Sequence, residues 1–447
     1  MTSPPKPTSI VDHSSLPRRQ FLQTTAALGI GYWVAAGAAA QESQSPNERL
    51  RMACIGVSGK GASDSDDAAR FGDIVAMCDI DERRLAGRAQ GPFEKAARFS
   101  DYRKMLDALG SSIDAVTVST PDHTHAPAAL MAMRMGKHCF CQKPLTRTLY
   151  EARLMGQVAR DMKVATQMGN QGTADSKLRR AAAWLKAGVV GTVREVHVWT
   201  NRPIWPQGIP RPEPTACPPH ISWNDWLGVA PERPYAEGYH DFKWRGWWDF
   251  GTGALGDMGC HEINMAFMGL ELRDPISVQA ETSGHNRDSM PAQSIVTYQF
   301  AANAWRPAIK MVWYDGGHRP SAEVCNGREV KDENYSLVIG DKGRLWDYSE
   351  LTDGAEKQAV DFVKSPGHFE EWVAAIRGGA PAMSNFPDYA GPLTETVLAG
   401  NLAVWLADKP GSGPLVQWDA KQLRVTNLEG LEPIIKPTYR AGYPLDV

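Results

Sequence analysis

The stretch Met52-Ala53-Cys54-Ile55-Gly56-Val57-Ser58-Gly59-Lys60-Gly61 joins a short apolar run to a glycine-rich turn, and a helix-like segment follows at Ala62–Phe71. A buried strand that runs through a tight glycine turn into a helix aims backbone N–H groups and the helix N-terminus at a pyrophosphate. The spacing fits Gly-x-Gly-x-x-Gly, with a serine in place of the middle glycine. We predict that this turn binds a dinucleotide through Gly56, Ser58, Gly59 and Gly61.

Short apolar runs alternate with helix-like segments as far as about residue 170. The runs show little polar alternation and predict buried strands at Met52–Val57, Ile74–Cys78, Ala115–Ser119, His138–Cys141 and Val164–Met168. Helices are predicted between them at Ala62–Phe71, Glu82–Ala89, Pro127–Met135 and Leu149–Asp161. This alternation is typical of a doubly wound parallel sheet, so we predict an α/β protein with a dinucleotide-binding (Rossmann) domain at 51–170.

Beyond residue 170 the strands lengthen and alternate between apolar and polar residues. They are predicted at Glu195–Thr200, Ile276–Thr282, Ser294–Phe300 and Ala308–Tyr314. Period-two patterning predicts a sheet with one open face. Residues 171–447 therefore form a second predicted α/β domain, with helices at 368–377 and 391–407. A long ordered loop at 201–248 contains nine prolines, and loops of that length are usually functional.

The N-terminal region has the features of an export signal. Arg18-Arg19-Gln20-Phe21-Leu22 precedes an apolar run over 24–40 that ends in three alanines. These features predict a cleaved twin-arginine signal at 1–40, followed by a linker at 41–50 and a periplasmic mature protein. The twin-arginine route carries folded proteins, often with a bound cofactor. A general secretory signal or an uncleaved anchor is the alternative.

The composition excludes several classes of protein. Hydrophobic residues make up 43% and charged residues 22% of the 447 residues, which rules out a disordered, collagen-like or multi-span membrane chain. The 48 basic and 51 acidic residues leave a net charge of −3, which gives no overall attraction to nucleic acid or anionic membranes. We expect a small neutral or polar substrate, with no nucleic-acid partner and no membrane partner for the mature protein.

Asp79 ends the second predicted strand. At this place in a dinucleotide-binding domain, a carboxylate accepts hydrogen bonds from the adenine ribose hydroxyls, and its charge repels a 2′-phosphate. Asp79 therefore favours NAD over NADP. Arg83 and Arg84 lie close by in the sequence, so NADP stays open as the cofactor.

Two motifs follow the third and fourth predicted strands. Ligands bind at the carboxyl ends of the strands in such sheets, so the motif after the third strand predicts a cofactor-facing loop that contains Thr120, Pro121, His123 and His125. A His-x-His pair offers only two ligands, and no metal site is predicted. Lys143, which precedes a proline at the next strand end, is expected to point its ammonium into the cleft and to contact the cofactor. A solvated lysine is the alternative.

Asp257 and His261 are four residues apart in a segment that leads into an apolar stretch. If the segment is helical, both side chains lie on one face and can work as a coupled base. A purely structural pair is the alternative. A zinc site that also uses Cys260 lacks a fourth ligand.

Tryptophans are dense between residues 199 and 248, where seven of the fifteen occur. Flat aromatic faces stack on the C–H faces of sugars, while polar neighbours bind the hydroxyls. The alternative is a loop or a subunit interface stiffened by tryptophan. The candidate substrate residues are Asn201, Arg202, His240, Lys243, Trp244 and Arg245.

Taken in order, these motifs resemble the glucose-fructose oxidoreductase / inositol dehydrogenase / MocA (Gfo/Idh/MocA) family over about residues 51–410. The residues that carry the resemblance are the glycine turn, Thr120–His125, Lys143-Pro144 and Asp257-x-x-x-His261. The usual Glu-Lys-Pro of the family is Gln142-Lys143-Pro144 here, which removes a charge beside the lysine. Asn170-Gln171-Gly172 and the stretch 247–253 resemble an exported bacterial branch.

The resemblance implies a second domain with a large, mostly antiparallel open sheet that often makes the oligomer contact, so a homo-oligomer is expected. It also implies an NAD-dependent oxidoreductase that acts on a secondary alcohol of a sugar or sugar derivative. In that chemistry NAD takes a hydride, His261 takes the hydroxyl proton, Asp257 orients His261 or shares the proton, and Lys143 stabilises the alkoxide.

The expected location limits the net reaction, because the periplasm has no obvious pool of NAD. A tightly bound cofactor would have to be reoxidised in place. One route couples the oxidation of one substrate to the reduction of another. A second is that of NAD-dependent glycoside hydrolases or lyases, in which a sugar carbon is oxidised transiently. A non-catalytic sugar-binding protein with a relict dinucleotide fold is the third hypothesis, and the joint presence of the three catalytic candidates argues against it.

Overall fold

A computed structural model of the chain describes residues 49–331, 333–443 and 445. The predicted signal at 1–40 and the linker as far as residue 48 lie outside the described residues. From Leu50 onward the chain forms one compact unit built around two sheets.

The first sheet has six parallel strands in the order β3-β2-β1-β4-β5-β6. Its strands are β1 Leu50–Ile55, β2 Gly72–Cys78, β3 Ala97–Phe99, β4 Ala115–Val118, β5 His138–Cys141 and β6 Thr166–Met168. The connecting helices are α1 Lys60–Phe71, α2 Glu82–Arg88, α3 Tyr102–Leu109, α4 Asp122–Arg134 and α5 Leu149–Asp161. The strand order reverses between β1 and β4, and ligands bind at such a switch point in open α/β sheets.

The second sheet has ten strands and is mostly antiparallel; within its main path only β7 and β10 pair in parallel. Its strands are β7 Val193–Trp199, β8 Ser277–Ser283, β9 Ser294–Phe300, β10 Ile309–Tyr314, β11 Tyr335–Gly340, β12 Gly343–Trp346, β13 Glu350–Thr352, β14 Pro410–Ser412, β15 Val416–Asp419 and β16 Arg424–Val425. The order is β13-β12-β11-β7-β10-β9-β8-β15-β16, and β14 also pairs with β8. The predicted fold class is confirmed.

Seven further helices complete the described chain. They are α6 Ser176–Lys186, α7 Trp223–Leu227, α8 Gly253–Glu262, α9 Asn264–Leu270, α10 His368–Ile376, α11 Gly391–Leu406 and α12 Glu432–Ile435. The apolar side of α10 returns to the first sheet, where Phe369 stacks on Phe140 with ring centroids 4.4 Å apart. The chain after the second sheet therefore contributes to the core of the first. Within the described residues, no helix is long and apolar enough to cross a membrane.

The helix after the third predicted strand starts earlier than its prediction at Pro127. α4 begins at Asp122, and its residues from Asp122 to Leu130 are buried. Proline inside a helix removes one backbone hydrogen bond, which usually marks a helix start. Here the buried packing of α4 outweighs that cost, so His123 and His125 lie on a helix rather than in the predicted loop.

Candidate active site

A cavity of about 620 Å³ opens at the carboxyl ends of the parallel strands. Residues of the first sheet form one wall, and the long loop and α8 of the second half form the other. The side chains and turns on its wall include Gly56, Ser58, Gly59, Lys60, Asp79, Arg84, Tyr102, Arg103, Thr120, Pro121, Gln142, Lys143, Gln171, Trp226, His240, Asp241, Phe242, Trp244, Arg245, His261 and Tyr443. Predicted cofactor residues and predicted catalytic residues therefore share one cavity.

The glycine turn fits a dinucleotide because two of its glycines, Gly56 and Gly61, leave no room for a side chain. Gly56 has a φ of +79°, and a Cβ there would lie 2.3 Å from the carbonyl oxygen of Ser119. A Cβ on Gly61 would lie 2.2 Å from the carbonyl oxygen of Gly56. The first turn of α1 thus packs directly on the residue that follows β1, and the helix N-terminus there favours a pyrophosphate. Ser58 and Gly59 line the cavity, whereas Gly61 packs behind it.

Asp79 directly follows β2 and lines the cavity, as expected of an acid that would bind the adenine ribose. Its carboxylate accepts hydrogen bonds from the backbone N–H groups of Val57 and Asp81, both at 3.1 Å. Burial raises the pKa of Asp79, and the two N–H donors oppose that rise. The side chain is held rigidly at the end of β2 and lines the cavity.

Arg84, one of the two arginines that kept NADP open, is already engaged. Its guanidinium donates to the Ser58 hydroxyl at 2.8 Å and pairs with Asp241 at 2.5 Å and Asp81 at 3.5 Å. The side chain of Arg83 is 71% exposed and lies 3.8 Å from Asp81. Arg84 thus bridges the glycine turn and the long loop, instead of offering a free cation for a 2′-phosphate.

The two histidines of the predicted cofactor loop are buried in the first turns of α4. The ring nitrogens of His123 lie 2.7 and 3.2 Å from the carbonyl oxygens of Trp226 and Phe250, and one of them donates. Those of His125 lie 2.8 Å from the carbonyl oxygens of Pro144 and Thr120, again with one donor. Both rings therefore hold neighbouring loops in place, while Thr120 and Pro121 line the cavity.

Lys143 reaches across the cavity to α8. Its ammonium donates to the carboxylate and to the carbonyl oxygen of Asp257, both at 2.8 Å. Burial lowers the pKa of Lys143, and the Asp257 carboxylate opposes that shift. The structure therefore places Lys143 in the cleft and not in solvent.

Asp257 is surrounded by cations. In addition to Lys143, Arg245 lies 3.2 Å and Arg202 lies 3.4 Å from its carboxylate. Burial alone would raise the pKa of Asp257, but Arg245 and Lys143 outweigh burial and hold it well below its ordinary value. The carboxylate stays ionised, and its role is to hold these cations.

His261 lies one turn after Asp257 on the same helix, as the spacing predicted. Its ring lines the cavity. Burial, followed by the charge of Lys143, lowers the pKa of His261 to about 3, so the ring is neutral near pH 7. Asp257 influences His261 through its charge, while its carboxylate and carbonyl oxygens accept hydrogen bonds from the Lys143 ammonium.

The six predicted substrate residues fall into three groups. Trp244 and Arg245 line the cavity, with the guanidinium carbon 4.2 Å from the Trp244 ring centroid. His240 also lines it, but on the side of Arg84, which helps burial to lower its pKa. The remaining three residues are not on the cavity wall. The Asn201 amide donates to Glu333 at 2.5 Å, and the Arg202 guanidinium lies 3.4 Å from the Asp257 carboxylate. Lys243 is exposed.

The tryptophan-rich loop has its own hydrophobic core. Trp226, Trp247 and Phe250 pack together in it, and Trp226 stacks on Trp223 with centroids 4.6 Å apart. Trp226 and Trp244 also line the cavity. The tryptophans therefore stiffen the loop, and two of them also reach the cavity wall, where stacking on a sugar stays a prediction.

One end of the cavity is closed by residues that the sequence did not single out. Tyr443 lies between two guanidinium groups, with Arg103 at 4.2 Å and Arg440 at 4.7 Å from its ring centroid. Tyr102 and Asp225 line the same end. Contacts between residues so far apart in the sequence leave no local pattern. Lys60 and Gln142 also line the cavity without having been predicted as site residues, but both belong to motifs that the sequence analysis recognised.

Comparison with known proteins gives matches to two family models. Residues 50–170 match the NAD-binding Rossmann fold of an oxidoreductase family, and residues 185–377 match its C-terminal alpha/beta domain, both of the Gfo/Idh/MocA type. The chain belongs to the Gfo/Idh/MocA family. The Rossmann model names NAD, which confirms the predicted cofactor.

Two curated relatives and one solved structure illustrate the similarity. The chain is 26% identical to levoglucosan dehydrogenase from Pseudarthrobacter phenanthrenivorans over 41% of its own length and 39% of that enzyme's. It is 25% identical to dTDP-3,4-didehydro-2,6-dideoxy-alpha-D-glucose 3-reductase from Actinomadura kijaniata over 69% of this chain and 78% of that enzyme. The WlbA dehydrogenase from Bordetella pertussis, solved with NADH and UDP-GlcNAcA, shares the Gfo/Idh/MocA fold at a TM-score of 0.55 and 16% identity, over 80% of this chain and 96% of that one.

Proposed function

We propose that the protein is an NAD-dependent oxidoreductase that oxidises a secondary alcohol of a sugar or sugar derivative. The observation that carries the proposal is one cavity that holds the glycine turn, Asp79, Lys143 and His261. Bound NAD would supply the hydride acceptor, held by the turn and by Asp79. The two curated relatives act on sugars, as their names state, which supports the substrate class.

The residues of the chain divide the proton chemistry between them. His261 is neutral near pH 7 and accepts the hydroxyl proton as the hydride leaves the carbon. Lys143 places its ammonium beside the developing alkoxide and stabilises it. Because Asp257 binds the ammonium at 2.8 Å, it positions Lys143 and keeps it charged. Trp244 offers an aromatic face on which the sugar stacks.

A dehydrogenase is favoured over the glycoside hydrolase or lyase alternative, because the relatives include a levoglucosan dehydrogenase, a sugar 3-reductase and inositol 2-dehydrogenases. A glycosyl hydrolase family 109 protein also matches, over 30% of this chain, and makes hydrolysis the second candidate. We test the reaction by adding a panel of sugars and glycosides to the purified protein and recording the absorbance of reduced nicotinamide. A sugar that reduces the cofactor without bond cleavage supports the proposal. Cleavage of a glycoside with no net reduction of the cofactor would reject it.

We further propose that the cofactor is retained between turnovers. The long loop crosses the ribose end of the cavity: the N–H of Ser222 donates to Ile80 at 2.8 Å, and the N–H of Glu82 donates to His220 at 3.0 Å. Together with Tyr443, these contacts enclose the adenosine end. Mass spectrometry of the native protein and of its released cofactor measures the retention. Protein purified free of nicotinamide cofactor would contradict this proposal.

Export by the twin-arginine route to the periplasm is part of the same proposal, supported by Arg18-Arg19 and the apolar run that follows. Replacing both arginines with lysine is expected to leave precursor in the cytoplasm. Normal delivery of that variant would reject the twin-arginine signal.

A homo-oligomer that uses the second sheet is proposed as well. Alternate residues of β8, namely Gln279, Glu281 and Ser283, are exposed in the single chain. Light scattering of the purified protein measures the oligomer, and a monomer at working concentration would contradict it.

A further inference from the structure

A fully buried carboxylate, Asp64, lies between the glycine turn and the loop that carries the catalytic lysine. The side chain of Asp64 is 0% exposed, and it belongs to the first half of α1. It was not among the predicted site residues. Buried charges need partners, so its contacts indicate what it holds.

Three donors converge on the Asp64 carboxylate. One oxygen accepts the Lys60 ammonium at 2.5 Å. The other accepts the Ser119 hydroxyl at 2.7 Å and the Gln142 amide at 2.8 Å. Lys60 starts α1 at the cofactor turn, Ser119 directly follows β4, and Gln142 precedes Lys143. The carboxylate thus links three segments that each border the cavity.

The links continue from these donors to the reacting groups. The Gln142 side-chain oxygen accepts the backbone N–H of Lys143 at 3.3 Å. With its amide oriented to satisfy both contacts, Gln171 accepts from Lys60 at 3.0 Å and donates to the Gly169 carbonyl at 2.8 Å. A Cβ on Gly169 would lie 2.4 Å from the Gln142 amide nitrogen, so the Gln142 amide packs directly against the backbone of Gly169.

This arrangement bears on the departure from Glu-Lys-Pro noted in the sequence. Gln142 brings no charge to the site, but its amide is bonded to a carboxylate from α1. The acid next to the lysine motif is therefore supplied by residue 64, and residue 142 supplies the donor.

We propose that Asp64 is a positioning residue that fixes the cofactor turn and the Lys143 loop relative to each other through Lys60 and Gln142. The proposal rests on the proposed function, because the positioned groups are those that bind the cofactor and stabilise the alkoxide. It predicts that one acid and one amide are required at positions 64 and 142, and that their order can be exchanged.

The test is a charge exchange between the two positions. We compare Asp64→Asn, Gln142→Glu and the double variant with the unmodified protein, using single-turnover hydride transfer, the Kd for NAD and thermal unfolding. Asp64→Asn loses the ion pair with Lys60 and is expected to slow hydride transfer roughly 10–100-fold, the usual effect of losing a charged hydrogen bond. The double variant restores one carboxylate and is expected to recover to within about 3-fold of the unmodified rate.

The pH dependence of hydride transfer in Gln142→Glu distinguishes a positioning role of Asp64 from a purely structural one. Two carboxylates in hydrogen-bond contact share one proton, so hydride transfer in this variant is expected to fall as pH rises, and adding Asp64→Asn should remove that dependence. The other titratable groups facing Asp64 are Lys60, His368, Cys54 and Cys141. Burial lowers the pKa of His368 and raises those of both thiols, so these three stay neutral near pH 7.

Asp67→Asn, on the exposed side of α1, is the matched control and should leave rate and affinity unchanged. A folded double variant no faster than Asp64→Asn, or an Asp64→Asn protein with the unmodified rate, would overturn the proposal. If Asp64→Asn does not fold, the pH dependence of Gln142→Glu decides, and a flat profile overturns the proposal. Lys143→Met separates the proposed function from the role of Asp64. A normal rate of hydride transfer in Lys143→Met rejects the proposed function. A slow rate in Lys143→Met, together with a double variant no faster than Asp64→Asn, rejects only the role of Asp64.

Discussion

Replacing Lys143 with methionine removes the cation beside the reacting alcohol while keeping most of the side-chain volume. A unit charge about 4 Å from a developing alkoxide is worth about 4 kcal/mol at an effective dielectric constant of about 20. That energy corresponds to roughly a 10³-fold loss in rate. Asp257 keeps Arg245 at 3.2 Å and Arg202 at 3.4 Å in the variant, so its buried charge is not left unpaired and the fold should persist.

The assay is hydride transfer in a single turnover with saturating sugar, recorded as the absorbance of reduced nicotinamide, beside the Kd for NAD and the Tm. We expect the rate of Lys143→Met to fall roughly 10³-fold, with little change in NAD affinity. Lys104→Met, which removes an exposed lysine on α3, is the control for loss of positive charge. A folded Lys143→Met protein that transfers hydride at close to the unmodified rate would refute the reasoning.

The remaining predictions concern the base and the cofactor. His261→Ala should lower turnover ~10²–10⁴-fold. Because the pKa of His261 is about 3, the unmodified enzyme should keep its kcat/KM from pH 8 down to about pH 5. A loss of kcat/KM near pH 6.5 would show that the imidazole is not held neutral. Asp79→Ala should weaken NAD binding roughly 10–100-fold and reduce the preference for NAD over NADP. Both affinities are measured by titrating cofactor-free protein. An unchanged preference for NAD would show that Asp79 does not select the cofactor. Tyr443→Ala should weaken NAD binding about tenfold without changing single-turnover hydride transfer at saturating cofactor, and unchanged affinity would show that the C-terminal wall does not hold the cofactor.

The parts of the fold that rest on local pattern could be predicted from the sequence. The bounds of β5, α5 and β9 agree with their predictions, because buried strands and an amphipathic helix with a Thr148–Glu151 capping box carry strong local signals. β3 and α3 were missed, since a three-residue strand and an eight-residue helix are shorter than the window over which a periodic pattern is recognised. β11 to β13 were missed for the same reason: their short runs lie among glycines and charged residues.

Site residues that belong to a sequence motif could be predicted. The hydrogen-bond partners of those residues could not, because tertiary packing determines them. The spacing of Asp257 and His261 correctly predicted that both lie on one helix face. The sequence could not show that the Asp257 carboxylate accepts a hydrogen bond from Lys143. Likewise, His123 and His125 were predicted to lie in a cofactor-facing loop, yet burial turns their rings toward backbone carbonyls. For Lys143 and His123, the bonded group lies more than a hundred residues away in the sequence.

The two ends of the cavity are held by ion pairs of unequal strength, and this bears on how the cofactor enters. At the reacting end, Lys143 and Asp257 are 16% and 9% exposed, so breaking their pair would leave a poorly hydrated carboxylate. At the ribose end, Arg84 pairs with Asp241, whose side chain is 75% exposed. Exposed pairs contribute about 0–1 kcal/mol and are screened by salt. We therefore expect the long loop to open first at Asp241 when the cofactor is loaded, while the catalytic end keeps its geometry and the closed loop then retains the cofactor.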